Sequence, residues 1–120
     1  MTYLIRTIPR TKKTSNQAAV INGRARVFPS AKYRSFARAA IPQLQAQHLI
    51  GPITEPVHVQ ATFYREANRG DLIGYMQALA DVLEDAGVLA NDRQIVCWDG
   101  TAMTKDKEKP RIEISIREIG

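Results

Sequence analysis

Apolar residues recur at every second position in two stretches of the chain and at every third or fourth position in two others. Val57 to Arg65 reads VHVQATFYR: Val57, Val59, Ala61 and Phe63 share one face and His58, Gln60, Thr62 and Tyr64 the other, the period of a half-buried strand. Ile112, Ile114 and Ile116 repeat this pattern in a strand from Arg111 to Ile116 whose opposite face is solvated. Helical spacing appears at Tyr33, Phe36, Ala37, Ala40 and Leu44, and again at Leu72, Tyr75, Met76, Leu79, Leu83 and Ala86.

Local punctuation bounds these elements. The first helix is expected to begin near Ser30, an N-cap directly after Pro29, and to be over by Gly51-Pro52. Pro42 is expected to kink it or end it early, because proline removes a backbone donor and crowds the preceding turn. The second helix starts at Asp71 and stops at Gly87. Tyr3 to Ile8 reads as a first strand stopped by Pro9, and Gln94 to Trp98 as a short apolar strand. Between Pro9 and Pro29 lies a long polar loop, and Asn22-Gly23 is a tight turn that folds part of it into a hairpin. The order strand, helix, strand, helix, strand, strand predicts an α+β fold: one domain over residues 1–120, with a small mixed β-sheet packed by two main helices.

Composition narrows the class. A chain of 120 residues with 44% hydrophobic and 24% charged residues can bury one core. No apolar run approaches the ~20 residues that span a bilayer, so no membrane partner is expected. The amino terminus lacks the layout of a secretory signal. The lone Cys97 excludes an internal disulfide framework and a cysteine-rich zinc site, which points to a reducing, cytoplasmic location. His58 has no second histidine at ligand spacing and reads as an ordinary strand residue.

Charge changes the picture more. Nine bases and no acid precede Glu55: Arg6, Arg10, Lys12, Lys13, Arg24, Arg26, Lys32, Arg34 and Arg38. From Glu55 onward eight bases face twelve acids. So sharp an asymmetry suggests a polyanion, foremost nucleic acid, as the partner of the first half; the alternative is a solvated face that keeps the protein soluble.

The candidate chemistry lies around the second helix, in GDLIGYMQALADVLEDAGVLANDRQIV. Asp71 and Asp92 bracket it. They read either as helix cap and turn residue or as two carboxylates that meet on a metal ion. A helix of about 16 residues is about 24 Å long, and Val88 to Asn91 reach back at most about 14 Å. Asp92 therefore approaches Asp71 only if the helix is shorter or packs obliquely across the sheet. Gln77, Asp81 and Asp85 form a polar stripe that is either solvated or turned to a cleft, and Asp81 stands about 15 Å along the axis from Asp71.

Over essentially its full length the chain resembles the RusA-like Holliday junction resolvases, small dimeric endonucleases of bacteria and their prophages. The family's early Pro-x-x-x-Ser-Asn-like loop is matched by Pro9 with Thr14-Ser15-Asn16, and its Ser-x-x-Tyr-Arg helix start by Ser30-Ala31-Lys32-Tyr33-Arg34. Its signature Asp-Leu-Asp-Asn-x-x-Lys-x-x-x-Asp-x-Leu, followed by Asp-Asp-x-Gln-Val/Ile, is matched by Asp71-Leu72-Ile73-Gly74, Gln77, Asp81-Val82-Leu83 and Asn91-Asp92-Arg93-Gln94-Ile95. Ile73, Gly74 and Gln77 depart from it: they replace an aspartate, an asparagine and the catalytic lysine.

The resemblance implies a metal-dependent endodeoxyribonuclease that resolves four-way junctions by paired incision in DNA recombination and repair. It implies Mg²⁺, with Mn²⁺ as a substitute, on Asp71 and Asp92, and Asp81 as a third catalytic carboxylate. It also implies a homodimer in which Asp71 and Asp92 meet. Lys12, Lys13, Asn16, Arg24, Arg26, Arg34, Arg38 and Arg69 are the expected DNA contacts. The competing readings are a junction-binding protein of the same fold without cleavage, which accounts for Ile73 and Gln77, and an interaction protein whose basic face meets an acidic partner.

Overall fold

The computed structural model describes residues 1–11, the backbone of residues 16–21 and 24–29, and residues 31–119. Its elements in chain order are β1 (Thr2–Ile5), β2 (Asn16–Ile21), β3 (Arg24–Pro29), α1 (Ala31–Gln47), β4 (Val57–Arg65), α2 (Leu72–Asp85), a 3-10 turn (Asp92–Gln94), β5 (Ile95–Cys97), β6 (Ala102–Lys105) and β7 (Arg111–Glu118). The expected α+β fold, a mixed sheet with two helices, is what the chain forms.

The sheet runs β1-β7-β4-β5, with β6 also on β4. β7 is antiparallel to both β1 and β4, and its register with β4 runs from Val57↔Glu118 to Tyr64↔Arg111. β5 and β6 lie end to end along the other edge of β4, both parallel to it. Where the two meet, Thr101 Oγ1 accepts the Ala61 N–H at 3.1 Å and fills the break in the ladder. One sheet face carries Val57, Val59, Ala61 and Phe63 with the isoleucines of β7. Both helices bury their stripes on it: Tyr33, Phe36, Ala40 and Leu44 from α1, and Tyr75, Ala78, Leu79, Val82 and Leu83 from α2.

Three local features differ from the sequence reading. The first strand ends at Ile5, because the backbone of Arg6 bonds to the Gln43 side chain instead of a strand; Gln47 does the same for Leu4, donating and accepting at 2.8 and 2.7 Å. These two amides of α1 close the edge of the sheet. α1 runs through Pro42, which faces solvent while Ala40 and Leu44 on the inner side stay fully buried, so packing outweighs the missing bond. β6 was not foreseen: of its residues AMTK only Met103 is half-buried, which leaves no alternation to read. The hairpin expected in the long loop is present as β2 and β3, antiparallel from Asn16↔Pro29 to Ile21↔Arg24; the Asn22-Gly23 turn and the Ser30 cap lie outside the described residues. Among the described residues no helix is long and apolar enough to cross a membrane.

Candidate functional site

α2 is bounded by side-chain chemistry at both ends. Asp71 is its N-cap, in extended conformation, and its Oδ1 accepts the Gly74 N–H at 2.9 Å. Gly74 is small for a reason. A Cβ there would run into Asp71 Oδ1 and lie 2.9 Å from Thr11 Cγ2, so the glycine that departs from the family pattern is what lets Thr11 seat beneath the helix start.

At the other end Gly87, with φ +78°, reverses the chain; its N–H donates to Glu84 O and that of Val88 to Leu83 O. Residues 88–91 then run back beside the helix. Asn91 opens the 3-10 turn with a capping box: its Oδ1 accepts the Arg93 N–H, and its own N–H donates to Gln94 Oε1 at 2.7 Å. The Gln94 amide in turn donates to Ile53 O and Glu55 O, which ties the turn to the strand-entry loop. Glu84 Oε1 accepts the Asp92 N–H at 2.9 Å and docks the turn on α2.

Asp92 arrives beside the middle of α2, where it lines an open cavity of about 320 Å³ with Gln77, Ala80 and Asp81. α2 has 14 residues, about 21 Å. Asp81 lies only about one turn from its end, within reach of a short return, whereas Asp71 caps the far end. Asp81 is half-buried and faces α1. The Tyr33 hydroxyl there is pushed up to about 12, first by burial and then by the nearby Asp81 and Asp85 carboxylates, so it stays protonated beside them. Ile73, 67% exposed, stands on the same helical stripe as Gln77 and Asp81. Among the described residues no three His, Cys, Asp or Glu side chains gather into a group able to hold a metal ion. A larger hollow, about 500 Å³, lies on the open sheet face, but Glu113 is the one charged residue that lines it.

The expected DNA contacts are dispersed. Lys12 and Lys13 lie outside the described residues; Asn16, Arg24 and Arg26 sit at the ends of the β2–β3 hairpin and along β3. Arg34 and Arg38 are exposed one turn apart on α1, and Arg69 is exposed in the turn before α2. Two cations that the sequence reading left out of the site, Arg10 and Lys32, lie beside Arg69. Their one signal was membership of the acid-free first half.

A family model described as Endodeoxyribonuclease RusA matches residues 9–117, a span holding both helices, the hairpin, β4 to β6 and all but the end of β7. No curated protein matches the chain.

Proposed function

Because the chain belongs to the RusA family of endodeoxyribonucleases, we propose that it resolves four-way DNA junctions by paired incision, using a divalent cation held at Asp81 and Asp92. The observation that carries this reading is the cavity that these two carboxylates share with the Gln77 amide. That donor set fits Mg²⁺ or Mn²⁺, hard cations held through one or two carboxylates that keep waters for substrate phosphates to displace. When bound, the cation supplies a polarised phosphoryl oxygen and a water of lowered pKa.

The chain's own residues do the rest. Gln77 offers its amide as a neutral hydrogen-bond partner to cation or phosphate, where the family pattern places a full positive charge. Asp71, exposed and bonded through Oδ1 to its own helix, is the remaining carboxylate of the set once two chains pair. A symmetric homodimer presents two such sites to opposed strands of a junction. Lys12, Lys13, Asn16, Arg24, Arg26, Arg34, Arg38 and Arg69 contact phosphates, so binding falls with salt at a slope of about 0.9 per phosphate neutralised.

The test is incision of a labelled four-way junction by wild type, Asp92→Asn, Asp81→Asn and Asp71→Asn, with Mg²⁺, with Mn²⁺ and with chelator. The expected result is paired, metal-dependent nicks that vanish in Asp92→Asn and Asp81→Asn. A second reading is favoured by the exposed Ile73 on the Gln77–Asp81 stripe: a binder of branched DNA that has lost cleavage. Tight junction binding without incision under every metal condition establishes that reading instead.

A further inference from the structure

Three cations from three separate segments converge on one small cavity at the start of α2. Arg10 comes from the segment after β1, Lys32 from the first turn of α1 and Arg69 from the turn before α2; with Thr11, Gly70 and Tyr75 they line about 140 Å³. Gathering like charges is unfavourable unless something offsets them. Glu66, 3.3 Å from Arg10, offsets one. Among the described residues no acid pairs with Lys32 or Arg69.

The wall of the cavity is prepared for an anion. Tyr75 Oη donates to Arg69 O, and Arg65 Nη1 donates to Arg69 O and Gly70 O at 3.3 and 3.4 Å. These donors engage two carbonyl oxygens that would otherwise repel an anion. Burial raises the Tyr75 hydroxyl above its usual range although Arg65 and Arg10 pull it down, so it remains a donor. The Arg65 Nε is buried with no hydrogen-bond partner, so a fourth cation stands behind the wall with a donor to spare. Gly70, at φ +77°, keeps the floor open; a Cβ there would lie 2.7 Å from Tyr75 Oη.

Size and surroundings select the anion. The cavity is well below the roughly 300–1,000 Å³ of small-molecule sites, with room for a tetrahedral oxyanion and none for a nucleobase with its sugar. It adjoins a groove of about 300 Å³ that shares Arg10 and Lys32 and passes the hydroxyl residues Thr7 and Ser35. An isolated phosphate needs no such groove; a polynucleotide strand does.

We propose that Arg10, Lys32 and Arg69 form a pocket for a single backbone phosphate of DNA, anchoring one strand at the start of α2 with its continuation along the Thr7–Ser35 groove. This rests on the reading of DNA as the substrate.

The experiment has two arms, with Lys32→Gln, Arg69→Gln, the double variant, and Arg117→Gln, at the far end of β4 from Arg65, as control. In the first, the salt dependence of four-way junction binding is measured. Because the side chains serve one phosphate, the double variant lowers the slope of log K against log salt by at most about 0.9, and each single variant by less. A double variant whose slope falls by about twice 0.9, the loss of two phosphates, or one that matches Arg117→Gln, overturns the pocket. In the second arm inorganic phosphate is titrated into the ¹⁵N-labelled chain at constant ionic strength. Saturable shifts of the Thr11 and Gly70 amides, absent in the double variant, support the pocket; shifts equal in the double variant, or none, overturn it. Wild type that binds no DNA in the first arm refutes the DNA reading and with it the proposed occupant, while the second arm still decides whether an oxyanion is held.

Discussion

At its N-terminal end α2 is flanked by Arg10, Lys32, Arg65 and Arg69, whereas its C-terminal half carries Asp81, Glu84 and Asp85 and receives Asp92 from the returning chain. A helix dipole favours the opposite arrangement, acids in the first turn and bases in the last, by about 0.3–1 kcal/mol each. α2 has no acid in its first turn and no base in its last; only the Asp71 cap lies where the dipole wants it. Helix stability therefore does not account for where the charges sit. The two sites proposed above, for an oxyanion at one end and a cation farther along, call for this distribution, and phosphodiester hydrolysis uses both charges.

That comparison breaks most visibly at Asp92. Asp92→Asn is expected to lower junction incision by about 100-fold or more while leaving junction affinity unchanged or slightly tighter, since one negative charge is gone. Lys32→Gln with Arg69→Gln is expected to do the reverse: weaker binding at moderate salt, with single-turnover incision of saturated complex preserved. Gel-shift and single-turnover assays on wild type and these two variants read both quantities. Should Asp92→Asn weaken binding as the cation variants do, the two ends of α2 are not functionally separate. A smaller effect runs the other way. Ile73→Asp returns a carboxylate to the Gln77–Asp81 stripe and is expected to tighten Mn²⁺ binding by about tenfold, near 1.4 kcal/mol, as read by calorimetry. An unchanged affinity means that position 73 does not face the cation.

How much of this was legible in the sequence differed between the two ends. β4 matched its reading residue for residue, because strict alternation over nine positions has few other interpretations. The limits of α2 were legible because a cap and a left-handed glycine are local chemistry. The passage of α1 through Pro42 was not, since it depends on Ala40 and Leu44 finding a core on the other side. The neighbourhood of Asp92 was legible only as a condition on distance: with about 14 Å of chain after Gly87, Asp92 approaches Asp71 only if the helix is shorter or packs obliquely. That it reaches Asp81 depends on the Glu84 hydrogen bond and the Gln94 contacts to Ile53 and Glu55, none of which leaves a periodic trace. The cation cavity was the least legible, because Arg10, Lys32 and Arg69 are neighbours only after three segments have packed.

Gly74 sharpens the comparison from the side of stability. It stands where the family pattern has asparagine, yet Asp71 Oδ1 and Thr11 occupy the space that a Cβ would need. Gly74→Asn is expected to destabilise the chain by about 1–3 kcal/mol, the range of overpacking in a close-packed site, as measured by urea unfolding. Because Thr11 also lines the cation cavity, the same variant should weaken junction binding more than it alters Mn²⁺ binding. Equal losses at both ends would mean that Gly74 supports α2 as a whole and not its first turn.

The smallest expected effect is at Glu84, whose Oε1 accepts the Asp92 N–H and has no place in the cavity lining. Its part is to position Asp92. Glu84→Ala removes the acceptor, and a hydrogen bond to a charged group contributes about 1.5–3 kcal/mol, of which partial exposure leaves the lower end. Incision at subsaturating Mn²⁺ is expected to fall by about tenfold and to recover toward wild type as Mn²⁺ is raised, because a loosened ligand lowers affinity without removing the carboxylate. Glu84→Gln keeps an oxygen acceptor at the same reach and should restore most of the loss. If charge rather than geometry links Glu84 to Asp92, the glutamine variant will behave like the alanine one, and the Mn²⁺ titration of the two side by side separates these cases. Junction affinity should be the same in both, since the oxyanion end of α2 lies beyond the reach of this contact.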